Sequence, residues 1–368
     1  MMEATRKQSN PRPPLRAGSA FSDDGSARGG TFEDVGALRL RLGDYLSEQT
    51  GSPVAVDRLV KFPAGFSWIT YGVSVTGFAP AAELILRLGP PYGLFAPYSA
   101  MPEFLSLSAL RSSAVPTPCA FYASDDVAIL GAPFFVCQRV DGDTPLPWGG
   151  QGSALDGDRR ESLARDFIDS LAALHGFDWR ASSLAQWGES VTVDNAAALQ
   201  IEEWRQRFQR WALRPHPMAH LAFAWLGQNQ PKASRVAIVH GDYRLGNFLE
   251  RNDRITAILD WELVHLGDPI EDLGWAFLPQ YRGGTGLVCG LASEADLLAR
   301  YEARSGASVD RGALKFYIVF SLLKLSLTHM AAARCFEDGR FNDMRMPAMA
   351  TQMAPVFRQL EKALERSS

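Results

Sequence analysis

The spacing of hydrophobic positions divides the chain into a strand-rich first part and a helix-rich second part. Near the N-terminal end, Val35, Leu38, Leu42 and Leu46 recur at helical spacing, and Gly51 follows them. This spacing predicts a helix that ends before residue 51.

The hydrophobic pattern then changes to short β-branched and aromatic runs punctuated by glycine and proline. These runs cover residues 68–75, 84–88 and 127–140. Such runs are typical of strands, so we expect a small sheet over residues 55–140.

Beyond residue 141 the pattern becomes helical. Leu163, Phe167, Leu171 and Leu174 share one predicted helix face, and helical spacing continues to the C-terminus except near residues 235–262. The longest apolar run, 316–327, contains Lys324 and is too short to cross a bilayer. We interpret it as a buried core helix and expect no membrane partner.

Composition adds limits to this picture. The 368 residues are 46% hydrophobic and 21% charged, with a formal net charge of -4, which is typical of globular proteins and gives no basic surface for nucleic acid. Four widely spaced cysteines suggest neither a zinc site nor a disulfide framework. Because these cysteines suggest no disulfide framework, we expect a location in the reducing cytoplasm.

The segment from Val236 to Asp260 carries the clearest chemical signal. An apolar strand leads to Asp242, Asn247 follows five residues later, and a predicted hairpin ends on Asp260. The spacing of Asp242 and Asn247 matches a kinase catalytic loop, in which the Asp accepts the hydroxyl proton of the substrate and the Asn binds Mg²⁺. We therefore predict Asp242 as the catalytic base and Asn247 and Asp260 as metal ligands. Capping of turns and helices is the alternative interpretation of these residues.

The residues from His240 to Phe248 and from Ile258 to Glu262 resemble the aminoglycoside phosphotransferase and choline kinase superfamily. The similarity runs from about residue 40 to 340, and it is closest to the phosphotransferase domains fused to, or encoded beside, acyl-CoA dehydrogenases. Further segments that carry it are 85–91, 115–118, 131–136 and 267–273. The resemblance implies ATP and Mg²⁺ as cofactors and a small-molecule acceptor.

The predicted fold is therefore α+β and bilobal, like that of protein kinases. We expect a disordered tail over residues 1–30, a small β-rich N-lobe that binds nucleotide over 31–140, and a larger α-rich C-lobe with the catalytic loop and the acceptor site over 141–368.

For the nucleotide, Gly65 and Ser67 lie where a phosphate-covering loop is expected, although Trp68 replaces the Asn usual in the family. Arg87 ends a predicted strand at the place of the kinase phosphate-binding lysine, and Glu103 is expected to orient it.

Gln138 and Val140 lie in the segment that resembles the interlobe linker, next to the expected adenine site. His240, Asp268 and Asp272 are expected to support the catalytic loop without acting chemically. The sequence also predicts Asp268 as a helix N-cap, with Glu271 completing a capping box.

The acceptor is less well indicated. From residue 280 onward arginine and lysine outnumber acidic residues, which disfavours a polycationic acceptor such as an aminoglycoside. A hydroxyacyl-CoA agrees with the resemblance and with Arg334, Arg340 and Arg345. A nucleotide-binding regulatory pseudokinase and an aminoglycoside-type antibiotic kinase remain open alternatives, and the sequence does not indicate an oligomeric state.

Overall fold

The structure is a computed structural model that describes residues 34–63, 65, 67–146, 155, 157–339 and 343–365. The predicted disordered tail, 1–30, lies outside these residues.

The N-lobe is an antiparallel five-stranded sheet with helices packed beside it. Its elements are α1 (Val35–Thr50), β1 (Ala55–Lys61), β2 (Ile69–Thr76), β3 (Glu83–Leu88), α2 (Met101–Leu110), β4 (Ala120–Ser124), α3 (Val127–Leu130) and β5 (Phe134–Gln138). The strand order is β1-β2-β3-β5-β4. Leu38, Leu42 and Leu46 of α1 are fully buried, as the helical spacing predicts.

One predicted strand is partly wrong. Residues 127–140 do not form a continuous strand, because Val127–Leu130 is a short helix. The Asp126 side chain accepts a hydrogen bond from the Ala128 N–H at its start, and Gly131 ends it in the left-handed region at φ 88°. Local capping therefore overrides the β-branched composition of this stretch.

The C-lobe is mostly helical and contains two small two-stranded sheets. Its elements are α4 (Gly157–Gly176), α5 (Ala196–Trp211), α6 (Pro217–Gln228), β6 (Ala237–Val239), β7 (Phe248–Arg251), β8 (Arg254–Ile258), β9 (His265–Gly267), α7 (Ile270–Ala276), α8 (Glu294–Ser305), α9 (Arg311–Glu337), α10 (Arg345–Ala350) and α11 (Met353–Glu365). Strands β6 and β9 form one sheet, and β7 and β8 form the other.

Helix α9 forms the centre of the C-lobe. It is long and apolar enough to cross a membrane, but 83% of its most apolar 18-residue window is buried inside the protein. It packs against α7, where a Cβ atom on Gly274 would come within 2.7 Å of the Tyr317 backbone. Only glycine allows this close approach, and it brings α7 and α9 together beneath the predicted catalytic loop.

Hydrogen bonds join the two lobes. The Ile258 N–H of β8 donates to the Pro116 carbonyl of the N-lobe at 2.8 Å, and Arg345 Nη1 donates to the Pro63 carbonyl at 2.7 Å. Just after the end of the N-lobe, Asp143 forms a β-bridge with Glu250 of β7. These contacts connect the N-lobe with the β7–β8 hairpin and with the C-terminal part of the chain.

Candidate active site

Strand β6 leads directly into the loop that the sequence singles out. Gly241 has φ 85° and Gly246 has φ 110°, both in the region that favours glycine. A Cβ atom on Gly241 would lie 2.6 Å from the Leu263 carbonyl oxygen, so only glycine fits there. The two glycines let the chain turn sharply on either side of Asp242.

The Asp242 carboxylate is held by three side chains. Its Oδ1 accepts hydrogen bonds from Trp275 Nε1 at 2.6 Å and from Arg244 Nε at 3.0 Å. Its Oδ2 accepts from Asn247 Nδ2 at 2.7 Å. Each carboxylate oxygen has two lone-pair sites, so Oδ1 is fully used while Oδ2 keeps one site for a substrate hydroxyl.

The β7–β8 hairpin places Asn247 beside Asp260. Phe248 pairs with Ile258 in this hairpin, so the residues just outside the pair come together, and the Leu259 N–H donates to the Asn247 carbonyl at 2.7 Å. Asp260 then adopts φ 64°, an unusual conformation for a non-glycine residue. A hairpin register therefore fixes the separation of the two predicted metal ligands.

The oxygen atoms at this place suit a magnesium ion. Asn247 Oδ1 and Asp260 Oδ2 have no hydrogen-bond partner in the described parts of the chain. The described residues contain no group of three His, Cys, Asp or Glu side chains that would form a complete metal cage. Magnesium in phosphoryl-transfer sites takes one or two protein oxygens and completes its shell with phosphate and water, so these residues fit it.

Arg87 connects the two lobes at the bottom of the cleft. Its Nη1 lies 3.2 Å from Glu103 Oε2 on α2, and its Nη2 lies 2.9 Å from Asp260 Oδ1. The rings of Trp68 and Phe135 lie 5.6 and 5.9 Å from the guanidinium carbon. The indole of Trp68 therefore packs against Arg87, so this departure from the family pattern contacts the guanidinium group.

Burial changes the protonation of the carboxyl groups around Arg87. Desolvation raises the pKa of Glu103 to about 7, although the Arg87 charge opposes the shift. Desolvation and the nearby Asp260 charge also raise the pKa of Glu262 well above its ordinary value. Glu103 and Glu262 therefore bind a proton more readily than an exposed glutamate does.

A cavity of about 730 Å³ runs between the lobes and includes these groups. Gly65, Ser67, Gln138 and Val140 line its N-lobe side, where the sequence predicts nucleotide contacts. The Ser67 side chain hydrogen-bonds to Glu262. An apolar slot is formed between the two lobes by Ile85, Phe135, Cys137, Leu249 and Ile258.

The predicted catalytic loop is anchored from beneath by Asp272. Its two oxygens accept the N–H groups of Gly241 and His240, each at 2.8 Å, and Oδ2 also lies 3.1 Å from His175 Nε2. Although burial alone would raise it, the pKa of Asp272 is lowered, because His175 and His240 stabilise the carboxylate. His240 Nε2 contacts the Leu259 carbonyl at 2.9 Å, so this ring bridges the loop and the hairpin.

The predicted capping box at the start of α7 is wrong in two parts. Asp268 Oδ1 does accept the Ile270 N–H at 3.0 Å, but the N-cap position is Pro269, one residue later than predicted. Glu271, however, turns away from the helix start and binds Lys324 Nζ at 2.7 Å and His265 Nε2 at 3.2 Å. A buried cation on α9 competes successfully with the backbone N–H for this carboxylate.

The C-lobe wall of the cavity beyond Asp242 is mainly apolar. Among the described residues from 263 onward that line the cavity, none is acidic; they are Leu263, Trp275, Tyr281, Leu325, Thr328, His329 and Met349. Arg244 is the cation on this side, with its guanidinium carbon 5.3 Å from the centre of the Tyr281 ring. Arg334 and Arg345 pair with Asp338 and Asp343 instead, and Arg340 lies outside the described residues.

Sequence reasoning missed Arg244, Trp275, Tyr281 and Lys324 as members of this site. A usable signal existed for Trp275, which follows Asp272 by three residues and therefore shares its helix face. Arg244 follows Asp242 by two residues, and this proximity could have indicated that its charge interacts with the Asp242 carboxylate. No local pattern points to Lys324, which reaches the Gly241 carbonyl at 3.2 Å across 83 positions of sequence.

Solved structures with the same fold cover most of the chain. A structure from Ralstonia eutropha, named as a candidate aminoglycoside phosphotransferase, matches with a TM-score of 0.69 and 24% identity, over 89% of this chain and 98% of that one. The aminoglycoside phosphotransferase APH(4)-Ia matches with a TM-score of 0.55 and 17% identity, over 89% and 99% of the two chains. These likenesses establish the bilobal kinase-like fold.

Curated proteins that are similar in sequence include two with acyl-CoA dehydrogenase names. Mouse acyl-CoA dehydrogenase family member 10 is 29% identical over 252 residues, and the Arabidopsis thaliana probable acyl-CoA dehydrogenase IBR3 is 27% identical over 296 residues. The matches cover 67% and 73% of this chain but only 22% and 35% of those proteins. The sequence profile of the phosphotransferase enzyme family matches residues 59–317. The chain therefore belongs to the phosphotransferase enzyme family.

Proposed function

We propose that this phosphotransferase moves the γ-phosphate of ATP, with Mg²⁺, to the hydroxyl group of a small molecule. The grouping of Asp242, Asn247 and Asp260 at one cleft between the lobes carries this proposal. A streptomycin, ATP and APH(2")-IIa ternary complex is among the solved structures of similar fold, with a TM-score of 0.52. It supports ATP as the donor.

Asp242 is proposed as the base. Its Oδ2 keeps one free lone-pair site. A substrate hydroxyl bound there would transfer its proton to Oδ2 as the hydroxyl oxygen attacks the γ-phosphorus. Trp275 and Arg244 fix the rotation of the carboxylate through Oδ1. The attacking oxygen gains its bond to phosphorus as the bond to the ADP oxygen breaks, and the proton remains on Asp242 until it is released to solvent.

Asn247 and Asp260 are proposed to hold the metal. Magnesium bound there would neutralise charge that develops on the phosphate oxygens. Arg87 would then lie between Glu103 and the phosphates, while Gly65 and Ser67 cover the nucleotide from the N-lobe and Gln138 and Val140 border the adenine. His240, Asp268 and Asp272 keep the loop in place.

A hydroxyacyl-CoA is our proposed acceptor. The apolar C-lobe wall suits an acyl chain, and Arg244 opposes a polycation such as an aminoglycoside. The names of the curated relatives, which are acyl-CoA dehydrogenases, agree with this class. We propose that the reaction takes place in the cytoplasm.

A screen for Mg²⁺-dependent ATP consumption tests the proposal. The acceptors should include hydroxyacyl-CoAs, amino alcohols, sugars and aminoglycosides. We expect Asp242→Ala to lower transfer by about 10²–10⁴-fold while nucleotide affinity is kept. Asp260→Ala should also weaken Mg-ATP binding, because it removes a proposed metal ligand.

Asp194→Asn provides a matched control, because Asp194 pairs with Lys232 on the surface. Equal transfer by wild type and Asp242→Ala would refute the proposed base. Binding of Mg-ATP without transfer to any acceptor would favour a regulatory pseudokinase.

A further inference from the structure

Arg244 is held at two points beside the proposed base. Its Nε donates to Asp242 Oδ1 at 3.0 Å, and the Tyr281 ring lies 5.3 Å from its guanidinium carbon. Its side chain is 24% exposed and lines the cavity. The anchoring leaves the guanidinium little freedom to turn away from the cavity.

The outer part of the guanidinium is available to a ligand. Neither Nη1 nor Nη2 of Arg244 has a hydrogen-bond partner among the residues that the structure describes. Together these two nitrogens offer four N–H groups in a planar fork, which suits carboxylate and carbonyl oxygens. The proposed phosphotransfer uses only Nε of Arg244, which positions Asp242, so Nη1 and Nη2 remain free to bind the acceptor.

The geometry limits where the ligand oxygen can lie. Because Nε is bonded to Asp242 Oδ1, the Nη atoms lie on the order of 4–5 Å from that oxygen, as the fork dictates. The acceptor hydroxyl must lie within about 2.6–3.2 Å of Asp242. An acceptor oxygen bound to Nη is therefore only a few bonds from the reacting hydroxyl.

The other residues of the C-lobe cavity wall indicate which chemical groups the acceptor carries beyond its hydroxyl group. Leu263, Trp275, Leu325 and Met349 extend the cavity with apolar surface. A cationic amine at this place would meet the Arg244 charge, whereas a carbonyl or carboxylate would complete the fork.

We propose that Arg244 selects the acceptor by binding a carbonyl or carboxylate oxygen a few bonds from the hydroxyl group that is phosphorylated. This inference rests on the proposed function. It defines the acceptor as an acyl compound with its hydroxyl close to the acyl carbon, and the apolar wall receives the remaining chain.

The test uses straight-chain hydroxyacyl-CoA thioesters with the hydroxyl group on carbon 2, 3, 4, 5 or 6. A simple alkanol and an amino alcohol serve as acceptors without a carbonyl group. The variants are Arg244→Gln and Arg244→Lys, with Arg165→Gln as the control because Arg165 pairs with Glu161 on the surface. Values of kcat and KM are measured for each acceptor and for ATP.

We expect the thioesters to be preferred to the alkanol, with an optimum at one hydroxyl position. Arg244→Gln should lower kcat/KM for the best thioester by about 10- to 100-fold, chiefly through KM, as loss of a charge-assisted hydrogen bond predicts. The preference for thioester over alkanol should collapse in this variant, while KM for ATP changes by less than about twofold. Arg244→Lys should lose less kcat/KM for this thioester than Arg244→Gln does. It replaces Arg244→Gln as the test variant if that protein does not fold.

Other outcomes separate the inference from the proposed function. An equal loss of kcat for every acceptor, with unchanged acceptor KM, would overturn the inference, because Arg244 would then act only through the Asp242 carboxylate or the transferred phosphoryl group. Transfer to other alcohols but to no thioester would overturn it too and leave the phosphotransfer intact. Failure of the wild type to bind Mg-ATP would overturn both.

Discussion

His329 illustrates how burial sets protonation on the cavity wall. It lies on α9, is 8% exposed, and its Nδ1 has no hydrogen-bond partner in the described chain. Desolvation lowers the pKa of His329 to about 4, although a hydrogen bond with the Gln352 backbone opposes the shift. The ring is therefore neutral in the folded protein at pH values where it is charged in the unfolded chain.

This difference predicts a pH dependence of stability. Between about pH 6.5 and 4 the unfolded chain binds a proton at this residue that the folded protein does not, so the free energy of unfolding falls as pH falls. The contribution of His329 amounts to roughly 3 kcal/mol over that interval. Urea unfolding of wild type and His329→Gln at pH 7 and pH 4.5 measures it.

We expect His329→Gln to lose less stability than wild type on acidification. His220→Gln, a change at an exposed residue of α6, is the matched control and should follow the wild type. Parallel curves for wild type and His329→Gln would contradict the prediction.

Two helices of the C-lobe act together on the catalytic loop. Helix α7 presents Asp272 to the loop backbone and Trp275 to the Asp242 carboxylate. Helix α9 contributes Lys324, whose Nζ reaches both the Gly241 carbonyl and Glu271. The loop is therefore held by charged groups that are themselves almost completely buried.

The Lys324–Glu271 pair gives a prediction about stability. Burial alone would raise the pKa of Glu271, but the Lys324 charge and His265 hold it at about 2. Lys324→Met would leave this buried carboxylate with only His265 as a side-chain partner, so we expect a loss of about 3–5 kcal/mol in the free energy of unfolding. Lys324→Met/Glu271→Gln removes both charges and should recover much of that loss.

Chemical denaturation of the single and double variants measures this coupling. Arg334→Met, which breaks an exposed pair with Asp338, should cost less than about 1 kcal/mol. If the double variant is as unstable as Lys324→Met, the loss comes from packing rather than from an unpaired charge.

Periodicity predicts elements but not the partners of buried charges. The fully buried Leu163, Phe167, Leu171 and Leu174 of α4 follow from helical spacing, and the spacing of Asp242 and Asn247 identifies the loop. The Glu271 contact with Lys324 could not be predicted, because it joins residues 53 positions apart and depends on how α7 and α9 pack. For residues 127–130 the hydrophobic pattern predicts part of a strand, but Asp126 and Gly131 cap them as a short helix.

At the scale of the whole molecule, the cavity lies where two hydrophobic cores meet. One core joins α1 to one face of the N-lobe sheet through residues such as Leu42 and Val73. The other fills the C-lobe and extends to Trp68 and Phe135 on the opposite face of that sheet. A ligand in the cavity would therefore contact residues of both lobes.

Mg-ATP is expected to stabilise the folded protein because, in our proposal, it contacts both lobes. A ligand that binds only the folded state at about 100 times its Kd adds about 2.7 kcal/mol to the free energy of unfolding. Chelation of Mg²⁺ with EDTA should remove most of this gain. Arg87→Met should reduce it as well, because Arg87 lies beside Asp260 where the phosphates are expected.

Thermal unfolding with and without Mg-ATP measures these effects, with Arg254→Met as the control. Arg254 lies on β8 and pairs with Asp166 at the surface, so its variant should gain as much stability from Mg-ATP as the wild type. In Arg87→Met, Glu103 loses its cation, but its pKa is already raised to about 7, so it can take up a proton and the unliganded fold should survive. A full Mg-ATP gain in Arg87→Met would show that nucleotide binding does not use this arginine, and the donor site would then have to lie away from the Arg87–Asp260 bridge.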